Sequence, residues 1–314
     1  MEEWTDRVSA SVKNSYEFFE PEKTVLEELS KHKTILEVGS GMGRYTKLIP
    51  RVVGLEYSRP FLDHCRENIQ GLFLRGDGFH IPFKDNSFDC VFSSGVLEHF
   101  DDRVRFAKEH LRVCKPGGKV VITVPAHESF DIHRYRLQVE CLHPPEQKDW
   151  HVYGERMRDD EMKEILTQAG LSDIQIIHLG TPLRGWKANI KKYLGLLKSD
   201  PSWKATKGLI WEGLGFAIST RPFRTLTGDL FYKTFMKTRG NYLFTSGIKP
   251  GSISNTDDIG KEIETFEDLV DIMICPISGE ALHREGERLI CAASKRAYPI
   301  VNGIPYLTPE DAIE

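Results

Sequence analysis

Thr34-Ile-Leu-Glu-Val-Gly-Ser-Gly-Met-Gly-Arg44 is the stretch that decides the fold: an apolar strand that runs directly into three alternating glycines. The β-favouring residues around Glu37 read as a buried parallel strand, and Gly39, Gly41 and Gly43 permit positive φ angles and close backbone approach to a ligand. Such a turn predicts an anionic or nucleoside-like ligand, although nicotinamide, flavin and purely structural turns share the pattern. The order of the downstream segments sharpens the reading. Val52-Val-Gly-Leu-Glu56-Tyr57-Ser supplies a second strand ending in an acid, placed to accept hydrogen bonds from ribose hydroxyls.

Leu72-Phe-Leu-Arg-Gly-Asp77-Gly78 makes a third strand that ends in an acid. Ile81-Pro-Phe83 then leads through Phe88-Asp-Cys-Val-Phe-Ser-Ser94-Gly95, a fourth strand, to Glu98-His99. A helix, the turn Lys115-Pro-Gly-Gly118 and the strand Lys119-Val-Val-Ile-Thr-Val-Pro125 complete the series. In this order, across about residues 30 to 126, the segments resemble the class I S-adenosylmethionine (SAM) methyltransferases, and within them the type-11 methyltransferase family. A nicotinamide enzyme would share the glycine turn but is not expected to combine it with Ile81-Pro-Phe83, Glu98-His99 and Pro116-Gly-Gly118.

The resemblance implies an α/β fold with a doubly wound, Rossmann-like, seven-stranded sheet, and SAM as cofactor. It assigns Glu37, Gly39, Ser40, Gly41 and Gly43 to the methionine part of SAM, and Glu56, with Tyr57 beside it, to the ribose. Asp77 and Gly78 match the adenine-contacting position, and Ser94 and Gly95 fall beside the methyl donor. Taken singly, Glu56 or Asp77 also reads as a helix N-cap.

Of the 314 residues, 40% are hydrophobic and 28% charged, which excludes the disordered and membrane classes. No run of about 18 apolar residues occurs, and Met1-Glu-Glu-Trp-Thr-Asp6 is no signal leader, so a cytoplasmic location is expected. The six cysteines, at 65, 90, 114, 141, 275 and 291, are scattered as buried thiols would be, and no disulfide framework is expected. Charge is strongly asymmetric. Residues 181 to 249 hold 13 Lys or Arg against 3 Asp or Glu, a net of +10 that leaves −14 for the rest of a chain whose total is −4.

The chain divides into a helical segment over 1–33 that caps the pocket or packs on the sheet, the methyltransferase core over 34–180, a basic aromatic-rich insertion over 181–240, the last core strand over 241–248, a linker over 249–264 and a small β-rich module over 265–314. The insertion falls between the last two strands, so it is expected to overhang the ligand crevice. Its Trp186, Trp203, Trp211, Phe231 and Tyr232 interleave with Lys187, Lys191, Lys192, Arg221 and Lys237. Three readings stand side by side: a self-contained helical lid, a cap for an anionic or lipid-like acceptor that touches a membrane surface, and a nucleic-acid platform.

In the last module, Cys275-Pro-Ile-Ser278, Cys291-Ala-Ala-Ser294 and Tyr298-Pro-Ile…Gly303-Ile-Pro305 resemble the zinc-ribbon-like family that includes the activator subunit of certain tRNA, rRNA and release-factor methyltransferases. Each expected Cys-x-x-Cys pair has become Cys-x-x-Ser. Two thiolates are too few for a structural zinc, so a metal-free module held by Ile300, Ile304, Tyr306 and Leu307 is expected, docking on the core or on a partner protein.

Methyl transfer is an in-line displacement that needs a general base only for an acceptor of high pKa. His99 is the best-placed base, with Tyr135 and His151 as alternatives in the His- and Tyr-rich segment after the fifth strand; each also reads as packing or polar surface. No Asn-Pro-Pro-Tyr or Asp-Pro-Pro-Tyr follows the fourth strand, which points away from adenine and amide nitrogen and toward oxygen, carboxylate or carbon. The leading expectation is a SAM-dependent methyltransferase for a small or lipid-like acceptor. A tRNA or rRNA methyltransferase and a non-catalytic SAM-binding scaffold are the alternatives.

Overall fold

The computed structural model describes residues 20–127, 155–179, 242–251 and 262–313, with isolated helical positions between 194 and 210. Tyr135, His151, Cys141 and nearly all of the 181–240 insertion therefore lie outside the described residues, as do most of the 1–33 segment and the 249–264 linker.

Eleven strands form one sheet in the order β6-β7-β5-β4-β1-β2-β3-β11-β10-β9-β8. The first seven are β1 (Ile35–Val38), β2 (Val52–Glu56), β3 (Leu72–Gly76), β4 (Phe88–Ser94), β5 (Cys114–Pro125), β6 (Ser172–Leu179) and β7 (Tyr242–Ile248). Strands β1 to β5 run parallel, and β7 lies antiparallel between β5 and β6. β1 and β2 are buried at every position, as strands covered on both faces must be. The helices are α1 (Glu20–Leu29), α2 (Arg44–Leu48), α3 (Arg59–Asn68), α4 (Arg103–Val113) and α5 (Asp159–Ala169). Asp102 caps α4 by accepting from the Arg105 amide at 3.1 Å, and Gly170, at φ 101°, ends α5. Among the described residues no helix is long and apolar enough to cross a membrane.

One boundary differs from the sequence reading. Pro116-Gly117-Gly118 is not a turn ahead of the fifth strand but an irregularity inside it: Phe88 pairs with Cys114, and pairing resumes only at Cys90 with Lys119. Gly117 takes a φ of 75° and donates to the Lys249 carbonyl at 2.9 Å, and the Lys249 amide donates back to the Gly118 carbonyl at 3.0 Å, which ties the irregularity to the end of β7. A Cβ on Gly118 would come within 2.8 Å of three neighbours, which is why glycine stands there.

The last module comprises α6 (Phe266–Ile272), β8 (Leu282–Glu285), β9 (Arg288–Cys291), β10 (Arg296–Val301), β11 (Ile304–Leu307) and a 3₁₀ turn over Pro309–Asp311. It extends the core sheet: β11 pairs parallel with β3 through Tyr306–Arg75 and Leu307–Gly76. A second junction joins the loop after β3 to the end of α6, where Lys84 donates to the Ile272 carbonyl at 2.9 Å and Ile274 to the Pro82 carbonyl at 3.0 Å. Leu269, Met273, Leu289 and Tyr298 share one buried cluster with Phe83, Phe88 and Leu74. Ile304 and Tyr306 pack instead on Leu62, Cys65 and Phe73 of the core, so two residues expected to hold the module together also bind it to its neighbour.

Arg75 locks this junction. Its guanidinium, 5% exposed, pairs with Asp311 and Glu310, donates to Thr308 Oγ1 at 3.1 Å and to the Tyr57 carbonyl at 3.0 Å. The guanidinium helps hold the carboxyl of Asp311 below the usual range against the opposing pull of burial. Removing one partner of a buried pair strands the other, at about 3–5 kcal/mol. Asp311→Ala is therefore expected to cost about 3 kcal/mol in urea unfolding and Glu310→Ala, which is exposed, less than about 1 kcal/mol. Equal effects from the two variants would show that Arg75 does not organise the junction.

Candidate functional site

The parallel register brings the C-terminal ends of β1, β2, β3 and β4 to one edge: Val38 is level with Leu55, Glu56 with Arg75, and Glu37 with Phe92. Residues 39–43, 56–57, 77–78 and 94–99 thereby become neighbours. β6 ends at Leu179 and β7 begins at Tyr242, both level with Pro125, so the strand ends that flank the insertion lie at this edge.

Gly39, Gly41 and Gly43 have φ values of 78°, 53° and 67°. The Gly39 and Ser40 amides both donate to the Leu55 carbonyl, at 2.8 and 3.1 Å, which folds the turn back onto β2. Glu56 closes it: Oε2 accepts from the Gly41 amide at 2.7 Å, while Oε1 accepts from the Ser58 amide at 2.8 Å. Burial raises the Glu56 pKa despite these amide donors. The site around the three glycines differs in tightness. A Cβ on Gly41 would meet nothing within 4 Å, whereas one on Gly39 would strike Val96 at 2.6 Å and one on Gly43 would strike Ile69 and Phe73 at 2.8 and 2.9 Å.

Two polar atoms at the turn have no hydrogen-bond partner although both are buried: Glu37 Oε2 and Ser40 Oγ. Glu37 is 3% exposed, and burial together with the neighbouring Glu56 pushes its pKa well above the carboxylate range. Unmet capacity of this kind leaves room for a bound water or a polar ligand group. An acid beside open glycine backbone suits a group that is cationic at one end, so these residues fit the methionine end of SAM.

Asp77 accepts from the Phe79 amide at 2.9 Å and lies 3.1 Å from His80 Nδ1, while Arg105 reaches His80 Nε2 at 2.7 Å. With Arg105 donating to Nε2, the imidazole proton sits on Nδ1 and points at Asp77. Gly78 lies tight against Phe106, since a Cβ there would approach that ring to 2.6 Å. Ser94 Oγ accepts from Thr123 Oγ1 at 2.9 Å, and Gly95, exposed at φ 72°, opens the chain toward the crevice. Tyr57 is 42% exposed and donates its hydroxyl to Glu310 of the last module at 2.9 Å, which ties that module to the residue after Glu56.

His99 sits just beyond the fourth strand, in a 3₁₀ turn over Leu97–His99. The residue is exposed, and partial burial holds its pKa below the ordinary imidazole value, so it is neutral near pH 7. Sequence reasoning misses its neighbour. Glu98 is 4% exposed, its Oε2 has no partner, and burial raises its pKa to about 8. The available signal is the apolar Val96-Leu97 pair that precedes it and draws this turn inward.

In the last module the four ribbon positions converge without a metal cluster. Cys275 Sγ lies 3.2 Å from the Tyr298 hydroxyl and 3.9 Å from Ser294 Oγ, and Ser278 Oγ lies 3.4 Å from Cys291 Sγ. Among the described residues no three His, Cys, Asp or Glu side chains gather as a metal site. The five described cysteines are buried and free.

Residues 36–122 match the methyltransferase domain family and residues 267–303 the Trm112p-like protein family. The chain thus carries a methyltransferase domain with a Trm112p-like module behind it. It is 35% identical over 113 residues to the probable tRNA methyltransferase 9B of Homo sapiens, which covers 34% of this chain and 25% of that protein. It is 26% identical over 202 residues to the norajmaline N-methyltransferase of Rauvolfia serpentina, 58% of this chain and 65% of that protein. A SAM-dependent methyltransferase of Archaeoglobus fulgidus superposes on 72% of this chain and 94% of its own at 15% identity, with a TM-score of 0.45. The chain spans less than two thirds of the length of either curated relative.

The glycine turn yields a ranking. Gly41→Ala carries only the penalty of a left-handed L-residue, about 1–2 kcal/mol, while Gly43→Ala adds a collision with Ile69 and Phe73 and is expected to cost about 3 kcal/mol or more. Thermal unfolding of the two variants checks the order, and a reversed order would contradict this packing of the turn.

Proposed function

We propose that this chain is a SAM-dependent methyltransferase whose acceptor is a tRNA. The observation that carries the reading is the 35% identity with a protein named as a probable tRNA methyltransferase, over a stretch of about the length of the cofactor edge and its strands. Two features support it. A Trm112p-like module is fused to the same chain and seated on β3, and the 181–240 segment concentrates lysine, arginine and aromatic residues in an otherwise acidic protein. Lysines on phosphates and aromatics on unstacked bases are the chemistry such a segment offers. The small or lipid-like acceptor expected first from the sequence has less support, since the small-molecule relative shares only 26% identity.

In this reading Glu37 and Ser40 hold the amino-acid end of the cofactor, Glu56 the ribose through lone pairs its amide donors leave free, and Asp77 the adenine edge. Bound there, SAM supplies a methyl carbon activated by its sulfonium. Ser94, Gly95 and the 3₁₀ turn bound the space for the acceptor, and neutral His99 takes a proton where the acceptor has one to lose. The rate comes chiefly from positioning.

Incubation of the full chain with methyl-labelled SAM and total tRNA is expected to place label in the tRNA, with binding that weakens steeply as salt rises. Label that appears only in a small-molecule extract would replace this acceptor with a small one, and SAM binding with no transfer to either would leave a scaffold. A second expectation concerns Glu37. A cationic ligand favours its ionised form, so SAM binding at pH 7 releases about one proton. Calorimetry in buffers of different ionisation enthalpy reads this directly, and a buffer-independent enthalpy would remove Glu37 from the cofactor site.

A further inference from the structure

Asp77, the acid placed at the adenine edge, is the end of a chain of side chains that begins on α4. Its Oδ1 accepts from the Phe79 amide at 2.9 Å, and its Oδ2 faces His80 Nδ1 at 3.1 Å. Across the ring, His80 Nε2 meets Arg105 of α4 at 2.7 Å. The His80 amide donates back to the Asp77 carbonyl at 3.0 Å, so a tight backbone turn keeps the imidazole beside the carboxylate. Arg105 is anchored in its turn. Its amide is the one that Asp102 caps, and its guanidinium lies over the Phe79 ring, 5.5 Å from the centroid. Phe79 packs edge-on against Phe100 and Phe106 at 4.8 and 5.5 Å, so the seat under the guanidinium is braced by the core.

The direction of these bonds follows from the donors available. A guanidinium only donates, so Nε2 accepts, the ring proton stays on Nδ1, and Nδ1 donates to Oδ2. Each bond in such a chain polarises the next. Both Asp77 oxygens are thereby held by one donor each, which sets the plane of the carboxylate and leaves each oxygen further lone-pair capacity for a ligand. A carboxylate held in this way accepts from an exocyclic amine and repels a carbonyl oxygen at the same place, because no proton then lies between the two. An arginine or lysine bonded directly to Asp77 would also hold it, but would offset the charge that draws the amine. An interposed imidazole holds the carboxylate and leaves its charge in place.

We propose that His80 and Arg105 are positioning residues that make this site selective for an aminopurine over an oxopurine. Arg105 sets the His80 tautomer, His80 sets the Asp77 carboxylate, and Asp77 reads the amine. The inference rests on the placing of SAM above and deepens it, since it states how the adenine end is told from its deaminated form. His80 and Arg105 are both exposed, so their replacement leaves the fold in place.

The test is calorimetry on the full chain with S-adenosylhomocysteine and with its deaminated counterpart, S-inosylhomocysteine. The natural chain is expected to bind the amino form about 10- to 100-fold more tightly, the range of a hydrogen bond to a charged group. His80→Leu is expected to lose about 3- to 10-fold for S-adenosylhomocysteine and less than about twofold for S-inosylhomocysteine. His80→Asn, whose side-chain nitrogen donates from about the position of Nδ1, is expected to restore the natural preference. Arg105→Leu is expected to reduce the preference in the natural chain and to have no further effect on it in His80→Leu, since it acts through the ring. Equal losses for the two ligands in His80→Leu would assign the residue to packing alone and overturn the proposal, as would an unchanged preference. Equal affinity of the natural chain for both ligands overturns the reading of the amine by Asp77, and the relay with it, while the cofactor site stands. Binding of neither ligand removes the cofactor site itself and the proposal together.

Discussion

The contact between the Glu56 carboxylate and the Gly41 amide is the constraint on which the site depends. It joins the end of β2 to the turn after β1, and it does so at 2.7 Å from a carboxyl that is itself only 8% exposed. Positive φ at three glycines lets the chain reverse, but permissive backbone alone leaves a turn with many conformations. The carboxylate selects one. Val96 then packs against Gly39 and fixes the segment after β4 to the same turn, so that three strand ends share a single geometry.

This edge is built from acids that are hard to ionise. Glu37, Glu56 and Glu98 are all buried, and burial raises all three. Raised carboxyl pKa values mean that the folded chain binds protons more tightly than the unfolded one, so the stability they contribute is present below the ordinary carboxylate pKa and is lost as pH rises through the folded values. A cationic group bound beside Glu37 would favour its ionised form.

Much of this was legible in the chain itself. The glycine turn and the succession of strands along the chain follow from hydrophobic periodicity broken by residues that tolerate unusual backbone, and the doubly wound sheet and the placing of the acids at 56 and 77 on its edge follow from the resemblance those segments carry. Other features depend on what meets what in space. Pro116-Gly117-Gly118 has the composition of a turn, and only its partner Lys249, far along the chain, makes it part of a strand. Ile304 and Tyr306 are apolar in a β pattern, which does not say whether they face their own module or the core. Arg75 reads as an isolated charge in a strand until Asp311, 236 positions later, comes to meet it. Glu98 shows how an acid in an apolar setting hides: the Val96-Leu97 pair draws its turn inward, and the return of the chain at Glu155, whose amide donates to the Glu98 carbonyl, covers it from a distant part of the sequence.

The junction of β11 with β3 has a consequence for how the molecule behaves on dilution. One strand pairing of two residues, a few further hydrogen bonds, a set of ion pairs and a shared apolar cluster would, between two separate chains, form a complex that comes apart as its components become scarce. Here both sides belong to one polypeptide, and a short tether holds the module at an effective concentration of order millimolar. The fraction of molecules with β3 covered is therefore the same at every protein concentration. An edge strand that would otherwise recruit strands from other chains is occupied from the moment the last residues fold.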